Sequence, residues 1–187
     1  MEEKGKQLRI GLAGLGNVGA GVYKNLLKNQ DLLNERTGST LVVKKIAVRD
    51  INRKRDVEVP KELITTDWNE LIEDPDIDVI VELIGGVEEA FKLISGALNA
   101  NKAVVTGNKA VLAECGKELI ELSEKQNAPL YCEAAVAGGI PIIKAVKEAL
   151  IGNRIGSIYG IINGTSNYIL TRMNSAGIEF SEALKEA

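Results

Sequence analysis

The chain has 187 residues, about one common domain and a remainder, so it can build one full core but not two. Lysine plus arginine is 23 and aspartate plus glutamate 26, a net charge of −3 that argues against a general binder of nucleic acid or anionic membrane. With no histidine, no Ser-His-Asp triad, Cys-His pair or histidine-held zinc can be assembled.

Cys115 and Cys132 lie among apolar or small residues and read as reduced and structural. Met1 is followed by Glu2, Glu3 and Lys4 rather than a basic and then apolar leader. No apolar run approaches the roughly 20 residues that cross a bilayer, which predicts a cytoplasmic protein with no membrane partner.

Short Val- and Ile-rich runs alternate with segments of helical period, the pattern of βαβ units with buried parallel strands. The first predicted strand, Leu8–Ala13, runs into Gly14-Leu15-Gly16-Asn17-Val18-Gly19 and a helix over Asn17–Asn29. A GxGxxG pattern is weak alone, but a strand before it and a helix after it are the context it requires. Gly14 permits the tight turn, Gly16 lets backbone approach a diphosphate, and Gly19 lets the helix pack closely; the alternative is a turn that serves packing only. The second strand, Leu41–Val48, ends in Arg49 and Asp50, with Arg53, Lys54 and Arg55 close behind. An acidic residue there suits ribose hydroxyls and a basic cluster suits a 2′-phosphate, so the sequence leans to NADP with NAD open; a solvated basic loop is the other reading.

Further strands are expected at Val79–Leu83, Ala103–Val105 and Leu130–Cys132, and helices at Asp67–Glu73, Val87–Ala100, Lys109–Gln126 with a break near Gly116, and Pro141–Ile151. Trp68 reads as packing, and Gly85-Gly86 as a place where a cofactor comes close to backbone. Asn108 is the expected cap of the helix that Lys109 opens. A cation in a first helical turn opposes the helix dipole at a cost of about 0.3–1 kcal/mol. That cost invites a role as general acid or base, against the plain alternative of a side chain reaching into water. Glu133 and the small-residue loop to Pro141 offer oxygen donors for a hard cation, or only a paired carboxylate and a turn. Gly152–Gly156 reads as a boundary, followed by a strand at Ser157–Ile162, a helix at Ser166–Ala176 and another from Phe180. The Asn163-Gly164-Thr165-Ser166 turn suits a small polar substrate, or simply caps its helix through Thr165 or Ser166. The fold expected is α/β, a Rossmann-like doubly wound parallel sheet over residues 1–150, then the start of an α+β catalytic domain over 151–187.

Taken together, GLAGLGNVG, VVTGNKAVLA, YCEAAVAGGIPII and the run Tyr159–Leu170 resemble homoserine dehydrogenase, from about Leu8 to Ala187. The resemblance implies NAD(P)-dependent interconversion of L-homoserine and L-aspartate 4-semialdehyde on the way to threonine, methionine and isoleucine. It implies cofactor contacts at Gly14, Gly16, Asn17, Val18, Gly19, Arg49, Gly85, Thr106 and Lys109, with Lys109 also moving a proton. It further implies substrate contacts at Gly164 and Thr165, and a sodium ion held by Glu133 and the carbonyls of Val136, Gly138 and Ile140. The family's later carboxylate and second lysine, in an Asp-x-x-Gly-x-Asp-x-x-x-Lys segment, are not in this sequence, nor is the sheet on which its members form homodimers. The chain is therefore expected to be a piece of a longer protein with incomplete catalytic machinery. A dinucleotide sensor without catalysis, or another amino- or sugar-acid dehydrogenase on the same fold, stands beside this reading.

Overall fold

The computed structural model describes residues 6–161 and 163–187. By backbone contacts these separate into two compact units, Met1–Val136 and Ala137–Ala187, so the glycine loop and the Pro141 segment expected to close the first domain group with the second unit. The first unit holds six parallel strands: β1 (Lys6–Ala13), β2 (Ser39–Ala47), β3 (Ile64–Thr65), β4 (Val79–Glu82), β5 (Ala103–Thr106) and β6 (Leu130–Tyr131). Their spatial order is β3-β2-β1-β4-β5-β6. The connecting helices are α1 (Asn17–Lys28), α2 (Gln30–Thr37), α3 (Asn69–Glu73), α4 (Glu88–Asn99) and α5 (Lys109–Gln126).

Because successive strand residues face opposite sides, Leu12 and Ile46 join a core under α1 with Leu15, Tyr23 and Val48. Their neighbours Ala13 and Ala47 join the larger core on the other face, with Ile80, Leu93, Leu98, Val104 and Val111. Covered on both faces, the strands read as near-continuous apolar runs, which is why five of them stand out in the sequence.

Four expectations change. Helix α2 was not expected, because it buries none of its residues and so carries no apolar stripe; it ends on Gly38 in the left-handed conformation. The break near Gly116 does not occur: burial of Val111, Gly116 and Leu119 along α5 outweighs the roughly 1 kcal/mol helix cost of one glycine. The Pro141–Ile151 helix shrinks to a turn of α-helix, α6 (Ile142–Lys144), and a wider π turn over Ala145–Ala149, where the Leu150 N–H donates to the Ala145 carbonyl at 3.0 Å. The strand expected at Ser157–Ile162 is absent from 157–161, while Ile162 lies outside the described residues. Those residues are exposed, and among the described residues of the second unit no strand is present to pair with them. The rest of that unit is a helical pair, α7 (Gly164–Ala176) and α8 (Phe180–Glu186), joined through Gly177 and by a bidentate Arg172–Glu186 ion pair.

Leu93 is fully enclosed between α4 and the sheet, whereas Leu32 on α2 is 41% exposed. Leu93→Ala should cost about 2–5 kcal/mol and Leu32→Ala well under about 1 kcal/mol, read as the difference in denaturant unfolding midpoints.

Candidate functional site

Strand order reverses between β1 and β4, the place where an open α/β sheet offers a crevice at the carboxyl ends of its strands. The glycine turn after β1 forms one wall. Gly14 has φ +98°, and a Cβ there would lie 2.5 Å from the Leu83 carbonyl oxygen. Its N–H donates to the Ala47 carbonyl at 2.9 Å, which fixes the turn to β2. A Cβ on Gly19 would overlap the Gly14 carbonyl oxygen, so α1 lies directly against the turn that feeds it. Gly16 is different. Its φ of −78° suits any residue, and a Cβ there would meet nothing within 4 Å.

Gly16 is also the cap residue of α1, with no side-chain hydrogen bond and no acidic residue in the first turn. The first helical bond runs from the Ala20 N–H to the Gly16 carbonyl at 2.8 Å, so the amides of Asn17, Val18 and Gly19 face the positive end of the helix. Gly16, Asn17 and Val18 are exposed.

Across from this helix end lies the loop after β2. A cavity of about 210 Å³ is lined by Gly16, Asn17, Gly21 and Lys24 on one side and by Arg53, Lys54 and Arg55 on the other. A second, of about 410 Å³, has the apolar walls Leu15, Val57, Val59 and Ile64 beside Arg53. Arg55 braces the loop from within, its guanidinium donating to the carbonyls of Asp50 at 2.5 Å and Arg53 at 2.8 Å. The Asp50 carboxylate accepts the Asn52 N–H at 2.8 Å. Arg53 and Lys54 are exposed cations at the cavity edge. Arg49 is exposed at the end of β2 and lines neither cavity. Its charge adds to the neighbouring Lys92, the main partner, in holding the Glu89 carboxyl below the usual range.

The opposite half of the crevice is built by the turns after β4 and β5. Gly85 and Gly86, both at positive φ, follow β4. Asn108 caps α5 as expected, its Oδ1 accepting from the Ala110 and Val111 amides at 3.1 and 3.3 Å. Lys109 is therefore the first helical residue, and exposed. Thr106 is buried, its hydroxyl donating 2.5 Å to Glu82 Oε2, which puts that side chain behind the crevice wall. Glu82 itself is completely buried and did not register in the sequence reading. The available signal was a carboxylate closing the otherwise apolar strand Val79-Ile80-Val81, three residues before the Gly85-Gly86 pair.

Glu133 opens a short 3₁₀ turn, Glu133–Ala135, with Val136 in the same unit; Gly138 and Ile140 belong to the other, where the Ile140 carbonyl accepts the Ile142 N–H at 2.8 Å. Among the described residues no cluster of three carboxylates or thiolates is placed to hold a metal ion. In the second unit Gly164 and Thr165 open α7 and are exposed. The cap is Asn163, whose Oδ1 takes the Ser166 N–H at 2.8 Å, rather than Thr165 or Ser166. Among the described residues no helix is long and apolar enough to cross a membrane.

Two family models match: "homoserine dehydrogenase, NAD binding domain" over residues 14–133, and "homoserine dehydrogenase" over 141–187. The homoserine dehydrogenase of Bacillus subtilis is 44% identical over 182 residues, 97% of this chain and 42% of the relative. The solved homoserine dehydrogenase of Thiobacillus denitrificans superposes with a TM-score of 0.87 at 42% identity, over 97% of this chain and 42% of that one. A hyperthermophilic archaeal homoserine dehydrogenase solved in complex with NADPH superposes at 0.77 with 27% identity, over 97% and 60% of the two chains. The chain thus spans about 42% of the length of the bacterial relatives.

The three turn glycines should separate by measurement. Gly19→Ala must displace the Gly14 carbonyl and should lower stability by about 1–3 kcal/mol, whereas Gly16→Ala should stay within about 0.5 kcal/mol of the parent. Thermal and denaturant unfolding of the two variants reads the difference.

Proposed function

The chain belongs to the homoserine dehydrogenase family, and on that premise we propose that it carries the dinucleotide-binding part of a cytoplasmic enzyme that interconverts L-homoserine and L-aspartate 4-semialdehyde, towards threonine, methionine and isoleucine. The observation that carries the reading is Gly16, a glycine that neither the backbone angle nor the packing of this chain requires, at an uncapped helix end. Space there serves a group from outside the chain, and free amides at the positive end of a helix select a diphosphate. Gly14, Gly16, Asn17, Val18 and Gly19 take that role. The apolar cavity with Arg53 at its edge suits an adenine ring, since guanidinium planes stack on aromatic faces. NADP is favoured over NAD: Arg53 and Lys54 sit as free cations near the helix end, Arg49 adds charge, and the Asp50 carboxylate is already engaged with its own loop. The NADPH named with the archaeal relative agrees with that preference.

The other half of the crevice, bordered by Gly85, the backbone of Thr106 and Lys109, takes the nicotinamide. The cofactor supplies hydride transfer at C4 of the substrate. The Lys109 ammonium gives a proton to the substrate oxygen as the aldehyde is reduced, and the amine form takes one from the alcohol in the reverse direction. Its positive charge stabilises the alkoxide that develops between those states, so no histidine is needed. Gly164 and Thr165 supply amide and hydroxyl groups for the substrate's polar end. Glu133, Val136, Gly138 and Ile140 supply the hard oxygen donors that suit a sodium ion. The whole enzyme works as a homodimer.

Calorimetry with the 187-residue chain should show binding of both nucleotides, with NADP+ tighter than NAD+. The double variant Arg53→Ala, Lys54→Ala should weaken NADP+ about tenfold or more and leave NAD+ within about twofold, because only the former carries the 2′-phosphate. Absence of heat with either nucleotide would remove the reading. In the full-length enzyme, Lys109→Ala should lower kcat by about 10²–10⁴-fold; unchanged turnover would take Lys109 out of the chemistry.

A further inference from the structure

Glu82 ends β4 with a side chain that is 0% exposed. Its Oε2 accepts the Thr106 hydroxyl at 2.5 Å, and its Oε1 accepts the Ile84 amide at 2.9 Å, the Gly85 amide at 3.4 Å and Asn108 Nδ2 at 3.5 Å. Every partner is a donor. The Thr106 oxygen in turn accepts the Asn108 N–H at 3.0 Å, and among the described residues Glu82 is the acceptor that its own hydroxyl proton has. Four donors and no acceptor are what an ionised carboxylate takes. Yet among the described residues Glu82 has no lysine or arginine partner, although a buried charge without an ion pair is costly.

The network is laid out across the crevice floor. One carboxylate oxygen organises the turn after β4 and the other the turn after β5. Asn108 closes the ring, with its amide on the Gly86 carbonyl at 2.7 Å and its oxygen on the first amides of α5. The two turns are also in steric contact: a Cβ on Gly107 would lie 2.7 Å from Leu83 Cδ2. Lys109 follows Asn108 directly, so its backbone position is fixed by the same hydrogen bonds.

Resting on the dinucleotide reading above, we infer that Glu82 is a positioning residue that also sets the redox preference of the crevice. It locks the two turns that carry Gly85 and Lys109, and it places a carboxylate behind the half that takes nicotinamide. The diphosphate belongs at the α1 terminus and the adenosine end at the basic loop, so the remaining half of the cofactor extends over β4 and β5 towards Glu82. The oxidised ring is a cation and the reduced ring is neutral, so a fixed carboxylate behind it favours the oxidised form. Without that charge the crevice would hold the product of its own forward reaction, or its substrate, with no electrostatic distinction from this side.

The test compares dissociation constants of NADP+ and NADPH by calorimetry for the parent chain, Glu82→Gln and Glu82→Asp. Glutamine can keep the Ile84 contact through its oxygen and turn its amide towards the Thr106 hydroxyl, which is able to accept as well as donate. The Glu82→Gln variant should lose NADP+ affinity about five- to tenfold relative to NADPH. The Glu82→Asp variant keeps the charge but shortens the tether, so it should weaken both forms while holding their ratio within about twofold. A purely structural role would weaken both forms equally in both variants. A ratio unchanged in Glu82→Gln therefore overturns the inference. Should that variant fail to fold, Glu82→Met, uncharged and of similar length, takes its place with the same two outcomes, and a ratio that collapses in Glu82→Asp overturns the inference in either case. A parent chain that binds neither nucleotide is a different result: it overturns the dinucleotide reading, and this inference with it.

Discussion

The constraint on which the rest of the first unit depends is the contact between the first turn of α1 and the turn that delivers it. Gly19 has no room for a Cβ because the Gly14 carbonyl stands there, and Gly14 has none because the Leu83 carbonyl stands there. Three backbone segments, from β1, α1 and β4, therefore meet with no side chain between them. That contact fixes the direction of α1 relative to the sheet, and with it the direction of the exposed amides of Asn17 and Val18. It also fixes the end of β4, because Leu83 donates its own N–H to the Ala13 carbonyl at 2.8 Å. The turn that opens α1 and the turn that follows β4 are thus joined through one glycine junction.

Where residues were buried on a regular period, the sequence was legible. The runs Leu41–Val48, Val79–Leu83 and Ala103–Val105 are apolar because helices cover the sheet on both faces, and each gave a strand to within two residues. Helix α2 stayed hidden because local hydrogen bonding and Gly38, not burial, define it. The segment 157–161 carries the β-branched and aromatic residues of a strand, Ile158, Tyr159 and Ile161, yet all three are exposed and unpaired among the described residues. Strand propensity expresses how well a residue fits a pleated, half-covered surface, and the described residues of this unit offer none.

The candidate site stood out for a different reason. Glycines at fixed spacing after a strand announce themselves whatever their neighbours, and so does a lysine placed against a helix dipole. What the sequence hid is the division of labour among similar residues. Three glycines in one motif differ, two demanded by packing and one with open space where a Cβ would be. Three successive cations likewise divide: all three line the smaller cavity, but the Arg55 guanidinium is tied to the carbonyls of its own loop while Arg53 and Lys54 are exposed. Those assignments depend on angles and distances that a pattern of letters does not carry.

Two charged side chains are buried among the described residues of the first unit, and their partners lie at opposite edges of the sheet. Lys102 precedes β5 at the amino edge of the sheet, where its ammonium donates to the Asp74 and Ile77 carbonyls at 2.6 and 2.7 Å. Burial pushes its pKa down, only partly offset by Asp74 and Asp78. Both of its acceptors belong to the single loop between α3 and β4, so what Lys102 organises stays at the edge away from the crevice. Glu82 ends β4 at the carboxyl edge, and its donors come from two separate turns that both border the crevice. A charge whose partners lie on one remote loop stabilises that loop and nothing further. A charge whose partners lie on two walls of a ligand crevice couples those walls, and any ligand that moves one wall must work against the hydrogen bonds that hold the other.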